Sequence, residues 1–128
     1  AEEPGFLFEA VRLPKYRAAW ERLSKEVEPK PNWLLSFTLR QEGAAGEMKA
    51  ITIEGKPYRL SYICKPEDCA GKRFEVLFEE SGAKAFGALG GKDETPAFFG
   101  KPSPAQEEAL TKAFRPVAAA DGVQPKSE

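Results

Sequence analysis

The 128-residue sequence contains no histidine and only two cysteines. The first absence removes Ser-His-Asp and Cys-His catalysis and every histidine metal site. It also rules out zinc on the cysteines, because two thiolates need two further nitrogen or sulfur ligands. No run is apolar for the length a membrane-spanning helix needs. Neither sign of charge dominates: 19 Lys and Arg stand against 20 Asp and Glu, a net charge of −1. No global field therefore draws the chain to nucleic acid or to an anionic membrane, and no membrane insertion is expected. There is no G-x-G-x-x-G and no Walker loop. The segment GALGG at 87–91 reads as a strand end or turn. No cofactor and no metal are expected.

What is present fits a globular domain. Hydrophobic residues make up 41% and charged residues 30%, which argues against global disorder. The length suits one domain with a modest core. The chain opens AEEPG, a small residue followed by acids. That is the kind of end signal peptidase leaves, and beside a cysteine pair it points to an exported, disulfide-permissive compartment.

Periodicity places the elements. Pro14 suits a first helical position, and Tyr16, Trp20, Leu23 and Val27 form one apolar stripe, so a helix is predicted over 14–27. Pro29 and Pro31 stop it. In NWLLSFTLR, Trp33, Leu35, Phe37 and Leu39 alternate with a more polar set, which predicts a strand. QEGAAGE at 41–47 reads as a loop. Ile51 and Ile53 mark a strand that turns at Glu54-Gly55. In PYRLSYIC, Tyr58, Leu60, Tyr62 and Cys64 share a face. In RFEVLFEE, Phe74, Val76 and Phe78 oppose Glu75, Leu77 and Glu79. Further strands are predicted near 84–89 and 97–99. SPAQ at 103–106 is a capping box that opens a last helix, ended by Pro116. The fold class is α+β, with an antiparallel sheet between N-terminal and C-terminal helices in a single domain over 1–116, followed by a flexible tail over 117–128. The aromatics Trp20, Trp33, Phe37, Phe74 and Phe78 are the expected core. Phe98-Phe99 fits the sheet core or an interface.

Both cysteines lie in CKPEDC, residues 64–69, between the two best strand patterns. The spacing is wrong for a C-x-x-C redox motif. A disulfide-closed loop and two unrelated buried thiols both remain open. The position is a hairpin tip, with Pro66 second in a four-residue turn and Glu67 following it. A bond there would contribute roughly 2 kcal/mol and remove most of the tip's freedom before anything binds.

The C-K-P-x-D-C signal resembles the inhibitor of vertebrate lysozyme (Ivy) family. LFEAVRLPKYRAAWERL, KPNWL, ITIEGKPYRLSYICKPEDC and FFGKPSPAQEEALTKAF extend the likeness over most of the chain. The resemblance implies a bacterial periplasmic protein whose loop plugs the cleft of c-type lysozymes without chemistry of its own. It implies a Cys64–Cys69 disulfide at a solvent-exposed tip, with Lys65 and Pro66 shaping the rising limb and Asp68 bracing the descending one. The family loop is usually C-K-P-H-D-C, and the histidine that meets the lysozyme's catalytic acids corresponds to Glu67. A third carboxylate there implies weak or absent inhibition of c-type lysozyme. It suits a bacterial lytic transglycosylase better, because that enzyme uses a single catalytic acid. Two other functions are compatible with the residues: a non-inhibitory periplasmic binding protein, and a small hydrolase using Glu67 and Asp68 as acid and base. The family contains dimers, so the chain is expected as monomer or homodimer.

Overall fold

The computed structural model describes residues 5–28, 30–40, 44–65, 68–91 and 95–120. A single turn, α1 (Leu7–Ala10), comes first. Its leading N–H groups are satisfied by the Glu9 carboxylate, which accepts from Gly5 N at 2.7 Å and Phe6 N at 3.0 Å. The helix opened by Pro14 is α2 (Pro14–Glu26). Its stripe of Tyr16, Trp20 and Leu23 is buried, with Val27 just beyond its end.

The next segment corrects the sequence reading. NWLLSFTLR forms a helix, α3 (Asn32–Arg40), and no strand. The buried residues there are Leu34 and Phe37, whereas Leu35 is exposed. Trp33, Leu34 and Phe37 fall on one helical face, and alternation concealed it. The Pro31 carbonyl accepts from the N–H of Leu34 and Leu35, which starts the helix. Tertiary packing selects it: the Phe37 ring meets Trp20 edge-on at 5.7 Å.

Six strands follow: β1 (Ala44–Ala45), β2 (Lys49–Ile53), β3 (Lys56–Lys65), β4 (Asp68–Glu79), β5 (Ala85–Gly90) and β6 (Ala97–Phe99). They form one antiparallel sheet in the order β1-β3-β4-β5-β6, with β2 also paired to β3. The β2–β3 turn puts Glu54 at φ 53° and Gly55 at φ 82°. Two successive left-handed residues are what a tight hairpin needs, and glycine accepts that conformation without penalty.

Strand alternation divides the core in two. Ile63, Phe74, Val76 and Phe78 face α1, α2 and α3. Tyr58, Leu77, Phe86 and Ala88 face the last helix through Leu110. Phe98 and Phe99 are half-buried, one on each core, so both belong to the sheet. The last helix is α4 (Pro104–Ala120). Its capping box is formed as expected: Ser103 N donates to Gln106 Oε1 at 2.8 Å, and Gln106 N donates to Ser103 Oγ at 3.3 Å. Pro116 does not end it. The helix runs four residues on, to Ala120, because proline there removes a single donor in the last turns and the alanines that follow favour helix. Residues 121–128 of the expected tail lie outside the described residues.

Candidate functional site

The β3–β4 hairpin carries CKPEDC at its end. Tyr58 pairs with Glu79 and the ladder climbs in register to Cys64 opposite Arg73. There it slips, and Lys65 pairs with Asp68. Residues 69–72 are thus looped out of the pairing as a bulge, the kind of irregularity that bends a strand and re-aims what lies beyond it. Pro66 and Glu67 lie outside the described residues.

Cys64 and Cys69 are joined, with Cα atoms 4.8 Å apart. The bond sits deeper than the sequence suggested. Cys64 is 2% exposed and Cys69 half-buried, while Lys65 and Asp68 are exposed. The disulfide therefore ties the base of the tip and leaves the polar limbs in water. Cys64 is inside because its face of β3 is the one that also carries Tyr58, Leu60 and Tyr62. On the descending limb the Asp68 carboxylate lies against the Cα of Gly71, where a methyl group would collide with it. The Gly71 carbonyl in turn abuts Gly91, just past β5.

Beneath the bond lies a charged cluster that sequence reasoning missed. The Arg73 guanidinium stacks 3.7 Å from the Tyr62 ring centroid. Its Nε donates to the Glu75 carboxylate. Its Nη1 lies 3.3 Å from Cys69 Sγ, within reach of a weak hydrogen bond. Arg73 and Glu75 are two apart on β4, which puts them on one face, and Tyr62 is the strand partner of Glu75. Both charged residues are buried, Arg73 at 4% and Glu75 at 1% exposure. Burial pushes the Glu75 carboxyl above its ordinary value of 4.5, against the opposing pull of the Arg73 charge and hydrogen bond and of the Lys49 charge. Alternation had put Glu75 with Leu77 and Glu79, opposite Phe74, Val76 and Phe78; the signal available in the sequence for the pair was its i, i+2 spacing from Arg73. The cluster forms one wall of a 990 Å³ cleft between α4 and the sheet, lined also by Ile51, Leu60, Ala109 and Lys112. Among the described residues, no helix is long and apolar enough to cross a membrane.

A small α+β domain with a disulfide-tied hairpin tip is the class that fold and site define. A family model described as inhibitor of vertebrate lysozyme (Ivy) matches residues 15–119. The inhibitor of vertebrate lysozyme of Pseudomonas aeruginosa is 30% identical over 125 residues, covering 88% of this chain and 79% of that protein. An uncharacterized protein of Yersinia pestis is 27% identical over 79 residues, 62% of this chain and 49% of that protein. The chain belongs to the Ivy family.

Proposed function

We propose that this protein is a periplasmic inhibitor that presents the 64–69 loop to the active-site cleft of a peptidoglycan-cleaving enzyme. The observation that carries the reading is the construction of the tip. Its two limbs end in exposed Lys65 and Asp68, while the disulfide at its base restrains them before any partner arrives. A loop tied at its base in the free protein loses less conformational entropy on binding. Membership of an inhibitor family supports a binding role over a hydrolytic one for Glu67 and Asp68. In this reading Cys64 and Cys69 hold the loop, Lys65 and Pro66 shape its rising limb, Glu67 enters the cleft, and Asp68 braces the descending limb.

Glu67 sets the strength. A lysozyme cleft works with two carboxylates. A third carboxylate about 4 Å from one of them is repelled by on the order of 4 kcal/mol at an effective dielectric of about 20. Inhibition of a c-type lysozyme is therefore weak. A lytic transglycosylase, with one catalytic acid, meets Glu67 with less like charge and is the second reading.

The test is a titration of vertebrate lysozyme in a cell-wall lysis assay near neutral pH. Glu67→His should strengthen inhibition by tenfold or more, since each 1.4 kcal/mol or so is worth about a factor of ten. Glu67→Gln should help less, because it removes the charge without supplying a cation. Tight inhibition by the wild-type protein, unchanged by either substitution, would place binding on another surface.

A further inference from the structure

We infer that Arg73, clamped between Tyr62 and Glu75, is a positioning residue that sets the direction in which the 64–69 loop leaves the sheet, without touching the partner itself. The inference rests on the loop reading above and names the residue that aims the loop.

A single disulfide fixes a separation and leaves an orientation to be set. The bulge at 69–72 makes this acute, because the descending limb leaves the β3 ladder just where its direction is decided. Arg73 addresses both cysteines. In the ladder it sits opposite Cys64, and its side chain reaches Cys69 Sγ at 3.3 Å. The guanidinium plane is itself held on three sides: by the Tyr62 ring, by the Glu75 carboxylate and by the sulfur. Three contacts fix a planar group in position and tilt. Lysine, a flexible point charge, satisfies Glu75 but not the stack and the sulfur together.

Stability alone is a poor account of the pair. Replacing a buried ion pair by apolar side chains of similar volume is often neutral or stabilising, because taking both charges out of water offsets their attraction. Holding a defined geometry at the loop base is a role that apolar replacements do not fill. The pair's position, directly under the bond and at the inner wall of the cleft, is where such a role would act.

The test uses two variants in the Glu67→His background, so that binding to a c-type lysozyme is measurable. Arg73→Lys keeps a cation for Glu75. Arg73→Met with Glu75→Leu removes both charges and leaves neither unpaired. Backbone amide exchange at Lys65, Asp68 and Cys69 should accelerate about tenfold in both variants, with Phe74 and Val76 amides unchanged, as the aimed conformation falls to a minority. Association with lysozyme should slow by about the same factor with dissociation changed less than about twofold, because a depleted competent state is read in the on-rate. A residue in direct contact with the partner would show in dissociation instead.

Loop exchange unchanged in both variants would overturn the inference. So would acceleration spread evenly over the sheet, which would make the pair a core element, or a loss carried by dissociation. If the Glu67→His protein itself binds no lysozyme, the functional reading fails while the exchange measurement still decides the role of Arg73.

Discussion

The Gln106 side-chain amide donates from Nε2 to the Tyr58 hydroxyl at 2.9 Å, while its Oε1 accepts from Ser103 N. One side chain thus closes the N-terminus of α4 and ties that helix to β3. Tyr58 is buried among Leu77, Phe86 and Leu110, so its hydroxyl needs a partner.

Gln106→Ala should lower stability by about 1–2 kcal/mol, the sum of a lost cap and a lost buried hydrogen bond. Ser103→Ala should remove only the capping share, about 1 kcal/mol. Urea unfolding of the two variants separates these contributions. Equal losses would show that the Tyr58 contact contributes nothing.

Removing the disulfide should leave the domain folded. Cys64→Ala with Cys69→Ala should lose about 2 kcal/mol, the value for closing so short a loop. The main core of Trp20, Phe37, Phe74 and Phe78 lies elsewhere. Near-ultraviolet circular dichroism should therefore keep its native aromatic bands. Their disappearance in the absence of denaturant would mean that the bond holds more than the tip.

Gly91→Ala should be disproportionately harmful for a position just past a strand end. The added methyl meets the Gly71 carbonyl oxygen, which is backbone and has no rotamer to yield. A loss of about 1–3 kcal/mol is expected, the usual range for overpacking. Amide chemical shifts should move at Gly71 and Cys69 as well as locally. A neutral substitution would show that this contact between the loop base and the β5–β6 connection is loose.

Glu75 gives stability an unusual pH slope. Its folded-state carboxyl titrates above 4.5 because burial disfavours the charged form. The folded protein then holds a proton that the unfolded chain has released, so this contribution is fully present below 4.5 and is lost as pH rises through the raised folded value. Unfolding free energies measured across that range should fall for wild type relative to Glu75→Gln, then level off. The opposite slope would mean that pairing with Arg73 outweighs desolvation.

Most of the sheet was legible in the sequence because alternation on β3 and β4 is strong and the turn at Glu54-Gly55 punctuates it. The cap at Ser103 was legible from four residues. Residues 32–40 were not, because a short apolar run satisfies both periods and only the contact with Trp20 selects helix. The two cysteines marked the tip, yet not the bulge, which depends on how β4 pairs and not on its composition. Arg73 and Glu75 were hidden for a different reason. Charged residues on a strand read as a solvated face until the partners they meet are known, here the Tyr62 ring and the Cys69 sulfur around Arg73.

The slip in register above Cys64 and Arg73 separates two tasks along one hairpin. Every pair from Tyr58–Glu79 to Cys64–Arg73 is specified below it, by side chains that must keep their faces. Residues 65–72 lie beyond that stretch of the ladder. The sheet beneath is thus specified without the tip and folds from its own pattern, so the mount and what it carries answer to separate demands.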